Sequence, residues 1–320
     1  MGGSTLGTIR LRPLAADDHD AVAAVGNATW PEQRVTGAEL AARDRRVASS
    51  RPVRRVVALQ GEAIVGWSLA EGEAPGDYRV SLAVAPAARG LGIGTALAGE
   101  LADWLSASRA RAVVTDVAED HPAAQRFVER RGFELARRLA VSALEVERFD
   151  PAPHAAARAR AEAAGVRVDA LTDLLARDPD ALRRLHALRG ALGRGVPDTE
   201  AQVVEPLAAL AAYFASSPSA RPDAWQIARA GDAWIGLTSG WGSASHPERL
   251  HTGLTAVLPA WRRRGVATAL KLAAIAQARR SGVRVVDTEN EEDNPMYALN
   301  RALGFEPRPA LLVYRRTVTR

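Results

Sequence analysis

The sequence predicts two tandem α/β units, each a mixed sheet with flanking helices. Three observations carry that prediction. Residues 86–97, reading P-A-A-R-G-L-G-I-G-T-A-L, recur at 259–270 as P-A-W-R-R-R-G-V-A-T-A-L. Pro86, Arg89, Gly92, Thr95, Ala96 and Leu97 thereby fall on Pro259, Arg262, Gly265, Thr268, Ala269 and Leu270 without a gap. A Gly-Phe pair follows each copy, Gly132-Phe133 and Gly304-Phe305. Upstream of each copy, two apolar runs flank a glycine and an acid, the mark of a hairpin. They read V-A-L-Q-G-E-A-I-V-G-W from Val57 and I-A-R-A-G-D-A-W-I-G-L from Ile227. Three markers in one order, twice over in 320 residues, mean a duplicated unit.

Each element follows from local chemistry. Residues 8–13, T-I-R-L-R-P, alternate as a half-buried strand does. A helix begins over 15–24, with acids in its first turn, where the helix dipole favours them. After the Gly61 hairpin a strand ends at Val84, the repeated loop follows, and a helix comes next. That helix sets Leu97, Leu101, Trp104 and Leu105 on one face. Residues 112–117 read as a short apolar strand, and 122–131 as a helix ending at Gly132, a left-handed C-cap. Residues 139–146 read as the closing strand. Asp150-Pro151-Ala152-Pro153 is turn chemistry that helix and sheet interiors exclude, so the units are placed at 1–150 and 155–320. The second unit repeats the order. An Ala/Arg-rich helix precedes the strand at Val166, helices fill 171–192 and 203–215, and 311–314 is its closing strand.

Composition excludes several classes. With no cysteine there are no disulfides, thiol nucleophiles or thiolate-bound metals. No apolar run approaches the ~20 residues of a membrane helix. The first ten residues lack a signal-peptide core, so a cytoplasmic protein is expected. A net charge of +5 hints at nucleic acid, but basic and acidic residues are interleaved throughout, and all but one of the 42 basic residues are arginine. No nucleic-acid or membrane partner is expected, and the chain is read as a monomer or homodimer.

The repeated loop points to a phosphorylated ligand. A run of small residues between strand and helix aims backbone N–H groups from the positive end of a helix dipole, which suits a pyrophosphate. The P-loop pattern is absent, because the only lysine, Lys271, lies inside a helix; the G-x-G-x-x-G dinucleotide pattern also fails, at Thr95 and Leu97. Arg89-Gly90-Leu91-Gly92-Ile93-Gly94 and Arg262-Arg263-Arg264-Gly265-Val266-Ala267 instead follow R-x-x-G-x-G/A. With the Gly-Phe pairs and hairpins, this resembles the GNAT superfamily of N-acetyltransferases, and the tandem arrangement is similar to the mycothiol synthase group. The resemblance implies two GNAT-like domains, each with a mostly antiparallel sheet and a splayed strand pair. It implies acetyl-CoA as cosubstrate and no metal. The loops, extended to Thr95 and Thr268, would hold its pyrophosphate. Leu82, Ala83 and Val84, with Thr255, Ala256 and Val257, would line its pantetheine arm.

The implied chemistry is acetyl transfer to the amine of a small molecule, which needs a base for the amine and an optional acid for the thiolate. The family often places a tyrosine as that acid four residues before the Gly-Phe pair; here Val128 and Asn300 stand there. Catalysis is assigned to the second unit, whose 288–305 segment is the more polar. Asn290, Asn294, Tyr297 and Asn300 are candidates for its channel, although Asp293 or Asn294 equally suits a helix N-cap. His251 is the candidate base, on the same strand face as Val257 by parity, with Asp287 and Glu289 as alternatives. A non-catalytic acetyl-CoA binder or sensor is the other reading.

Overall fold

The computed structural model describes residues 9–48, 51–193 and 206–318. Parts of two expected elements, Thr8 and residues 203–205, lie outside them. The chain forms two compact units that do not divide at one point. The first contains 1–139, 244–246 and 309–320, and the second contains 140–243 and 247–308. The Asp150–Pro153 turn sits inside the second unit.

In the first unit the order is β1 (Ile9–Pro13), α1 (His19–Thr29), α2 (Gly37–Ala48), β2 (Val53–Gln60), β3 (Ala63–Ala74), β4 (Asp77–Val84), α3 (Ile93–Ala107), β5 (Ala112–Ala118) and α4 (Pro122–Glu129). Strands β1 to β4 pair antiparallel in sequence order, and β4 pairs with β5 in parallel. β6 (Glu134–Glu145) leaves this unit, because its residues from Ala140 onward belong to the second. The second unit continues with α5 (Ala155–Ala163), β7 (Val166–Ala170), α6 (Leu171–Arg177), α7 (Ala181–Gly193), α8 (Leu207–Ser216), β8 (Gln226–Ala230), β9 (Ala233–Gly242), β10 (Arg249–Val257), α9 (Val266–Arg280), β11 (Val285–Glu291) and α10 (Pro295–Ala302). β12 (Glu306–Thr317) ends the chain. The single helix expected over 171–192 is two helices, since Asp178-Pro179-Asp180 breaks it.

The expected closing strands are exchanged between the halves of the sequence. β12 pairs antiparallel with β5 from Leu311↔Ala118 to Thr317↔Ala112, inside the first unit. Leu312 and Tyr314 pack with Val117, and the Tyr314 hydroxyl donates to Glu129 at 3.0 Å. Leu144, near the end of β6, packs in the second unit with Leu250, Val286 and Phe305. Residues 311–314 are all apolar and 139–146 are apolar but for Ser142 and Glu145, and such a run states that a strand is buried but not which sheet buries it.

The helix after each repeated loop packs one apolar face on its sheet. α3 buries Ile93, Leu97, Leu101 and Leu105; α9 buries Val266, Leu270 and Ile275, each contributing roughly 1.5–3 kcal/mol of transfer free energy. That packing holds the preceding loop against the strand ends, where the candidate sites lie.

Candidate active site

In both units the parallel strand pair opens towards the repeated loop. Pairing of β4 with β5 ends at Arg79↔Val114, and pairing of β10 with β11 ends at Thr252↔Thr288. Leu82, Ala83, Val84, Thr255, Ala256 and Val257 lie beyond those last pairs, so their backbone stays paired with β3 or β9 on one side and meets a gap on the side of β5 or β11. The side chains of Ala83 and Val257 are buried. Thr255 shares a hydroxyl hydrogen bond with Thr238 at 2.7 Å.

The loops share their construction. In each, a short 3-10 turn opening at Pro86 or Pro259 leads to an extended arginine. The Nε of Arg89 donates to the Val84 carbonyl, and that of Arg262 to the Val257 carbonyl, both at 3.1 Å. The repeated arginine therefore ties loop to strand end in both units. Gly90 and Gly92 take φ of 81°, and Gly265 takes 82°. Arg263 occupies the place of Gly90 at φ 61°, a left-handed conformation costing an L-residue about 1–2 kcal/mol. Ile93 and Val266 are core anchors by side chain, and only their backbone is available to a ligand. Leu91, Arg264 and Thr95 are exposed, while Gly94, Ala267 and Thr268 are half-buried.

Two neighbours distinguish the loops. A Cβ on Gly92 would meet nothing within 4 Å, whereas one on Gly265 would lie 2.0 Å from the Ala157 carbonyl oxygen of α5. In the first unit Arg131 lies 3.5 Å over the Phe127 ring and donates to the Thr95 hydroxyl at 3.0 Å, beside the first turn of α3. Burial, and then Arg130, lower its pKa. Sequence reasoning passed over Arg131; its place immediately before Gly132 was the available signal.

In the second unit a row of side chains crosses three strands. Trp241 of β9 is opposite His251 of β10, which is opposite Asp287 of β11. The Trp241 and His251 rings are 4.4 Å apart and tilted by 37°. His251 does not share a face with Val257, contrary to the parity expectation. A β-bulge between Thr252 and Thr255 inserts one residue, so Leu250 and Val257 face α9 while His251 faces the opposite side. Burial, followed by the charge of Lys271, pushes the His251 pKa down to about 4. The imidazole is therefore neutral at physiological pH. Asp287 is held by Arg249 through two hydrogen bonds of 3.0 and 2.8 Å, which occupy both carboxylate oxygens.

The polar segment after β11 resolves into two roles. Asn294 is the N-cap of α10, accepting from the Met296 N–H at 2.9 Å, so it caps instead of lining a channel. Asn300 is fully buried, and its Nδ2 donates to Asn290 Oδ1 at 2.7 Å. Its own Oδ1 is buried without a partner, an arrangement that costs stability unless a ligand supplies the donor. Tyr297 is half-buried on the same helix. Lys271 is 2% exposed on α9, facing the Phe305 ring and a cavity of about 10 Å3 that Thr252 and Ser239 also line. Burial pushes its pKa down to about 7.

A model of the acetyltransferase (GNAT) family matches residues 20–133 and 197–305, once in each half. The chain belongs to that family, and it is a tandem member. Among solved structures, it is similar to a tandem GNAT protein from the clavulanic acid biosynthesis pathway, with 21% identity, 98% of this chain and 99% of that chain covered, and a TM-score of 0.73. A GCN5-related N-acetyltransferase from Sphaerobacter thermophilus matches at 20% identity over 97% and 95% of the two chains, with a TM-score of 0.67. A glucosamine N-acetyltransferase region of a fungal multidomain β-N-acetylglucosaminidase matches at 14% identity, covering 96% of this chain and 38% of that one, with a TM-score of 0.69. Among curated proteins none matches significantly. Acetyl-CoA is the cosubstrate of this family, and the open strand gaps, the outward-facing first loop and the orphaned Asn300 oxygen fit it. No helix among the described residues is long and apolar enough to cross a membrane.

Proposed function

We propose that the protein transfers the acetyl group of acetyl-CoA to the amine of a small molecule, with the chemistry in the second unit. The observation that carries this reading is the contrast at the mouth of the two strand gaps. In the first unit Arg79 donates to Asp116 across the opening at 2.6 Å and to Glu73 at 2.5 Å. Glu119 is held by Arg138 through two bonds of 2.9 Å. Glu73 and Glu119 are thus paired with arginines, and Asp116 has one oxygen on Arg79 and the other buried without a partner. At the matching place the second unit offers a neutral imidazole and an amide pair.

Acetyl-CoA supplies a thioester carbonyl carbon when bound. The loop N–H groups would hold its phosphates, and the edge of β10 past its last pair with β11 would align its arm. The amine nitrogen would bond to the carbonyl carbon as the C–S bond breaks and CoA leaves as the thiolate. His251 would take the amine proton once the new bond makes the N–H acidic, the only moment at which a base with a pKa near 4 is competent. The Asn300 Oδ1, with Nδ2 engaged by Asn290, accepts a hydrogen bond from the arm or from the thiol. It does not protonate a thiolate. The first unit binds acetyl-CoA without turning it over, with Arg131 adding charge beside its loop.

The test is release of CoA from acetyl-CoA across a panel of amines. Amine-dependent release that His251→Ala abolishes supports the reading. Tight acetyl-CoA binding without release on any amine would make the protein a binder or sensor instead. Release lost with Asp116→Asn but kept with His251→Ala would move the chemistry to the first unit.

A further inference from the structure

The row Trp241–His251–Asp287 contains an aromatic residue that the chemistry above leaves unused. Trp241 is 43% exposed, one of only three large apolar side chains exposed among the described residues. It is nevertheless held in place. One side meets the His251 ring at 4.4 Å, and its Cζ3 edge lies over Gly253, where an added Cβ would approach to 2.5 Å. The bulge that turns His251 to this face also places Gly253 under the indole, so a single backbone feature sets both rings. An indole fixed in this way, and left open to solvent, is a stacking surface. It lies beside the candidate base, on the face away from α9. The polar partners on the same row are Asp287 and the Arg249 guanidinium that grips it, groups suited to hydroxyls.

We propose that Trp241 is a specificity residue that seats a cyclic, hydroxylated amine of the amino-sugar class, its ring stacked on the indole and its amine directed to His251. The proposal rests on the acetyltransferase reading above. A pyranose presents a flat C–H face to an aromatic ring and hydroxyls at its rim, which matches an open indole beside a carboxylate–guanidinium pair. A linear amine has no face to stack on the indole.

The experiment takes the full-length protein with acetyl-CoA and two acceptors, D-glucosamine and putrescine. Trp241→Ala raises the KM for D-glucosamine about tenfold, with kcat nearly unchanged and putrescine unaffected. Trp241→Phe restores most of the loss, because a ring returns. An unchanged D-glucosamine KM, an equal rise for putrescine, or no rescue by phenylalanine overturns the platform. Saturation-transfer NMR on D-glucosamine separates this proposal from the reading beneath it. Ring protons saturated in the wild type but not in Trp241→Ala, with no acetylation of either amine, keep the platform and sink the acetyltransferase reading. Acetylation of putrescine with no saturation transfer to D-glucosamine does the reverse.

Discussion

The two units carry the same loop and opposite gap linings. Val117 and Val128 lie in one apolar cluster of the first unit. Counted from the last shared pair of β-strand residues, Val114 in one and Asp287 in the other, Val117 corresponds to Asn290, and Val128 corresponds to Asn300 by distance from the Gly-Phe pair. A dry valine contact in one half is thus a buried amide hydrogen bond in the other. Tyr78 and Leu250 both pack towards the helix after the loop, so their successors Arg79 and His251 are equivalent. One is locked between two carboxylates and the other is a neutral imidazole beside a tilted indole. The duplicated halves keep the strand–loop–helix turn and differ in the residues that line the strand gap.

The largest test of this comparison concerns Lys271, which occupies the place of Ala98 in the first helix. Its folded pKa of about 7 lies below the unfolded 10.5, so the unfolded state holds more protons between those values. Wild-type stability therefore climbs as pH rises from 7 to 10.5, and the full penalty is present below 7. Lys271→Met should stabilise by up to ~5 kcal/mol below pH 7, at about 1.36 kcal/mol per unit, with the gain fading by pH 10.5. Denaturant melts at pH 6 and 10 check this; a gain independent of pH would mean that the amine is solvated.

The loops come next. Gly92→Ala meets only the positive φ and should cost ~1 kcal/mol, whereas Gly265→Ala also drives a methyl into the Ala157 carbonyl and should cost ~3 kcal/mol or more. Equal shifts in melting temperature for the two variants would remove this distinction. The same contact makes Gly265 a poor probe of phosphate binding, and Arg264→Ala is the cleaner choice.

On turnover, His251→Ala should lower kcat on the order of 100-fold, while Arg79→Ala leaves it unchanged. Because burial holds His251 near 4, the acid limb of kcat should fall close to pH 4 and not at the usual histidine value near 6.5. Steady-state rates from pH 4 to 8 decide this. The smallest effect is that of Asn300→Val, which gives the second unit the first unit's lining. It should slow turnover about tenfold without loss of stability, since it removes an orphaned acceptor along with one hydrogen bond.

The sequence by itself determined the duplication, the strand–loop–helix setting, the hairpins and the glycine caps. These depend on contacts within a few residues, where glycine, proline and apolar spacing leave few alternatives. It also named Asn290, Asn300 and His251 as candidates from residue type. Tertiary structure decided the rest. The apolar runs at 139–146 and 311–314 mark strands, but the partner of each strand depends on which sheet offers a matching apolar face. The direction of His251 turned on one inserted bulge residue, which strand parity does not register. Asn294 and Asn300 differ only in which backbone and side-chain groups come near them. Arg79–Asp116, Ala157 against Gly265, and Trp241 on His251 join residues distant in the chain, and no local pattern encodes a meeting that only packing brings about.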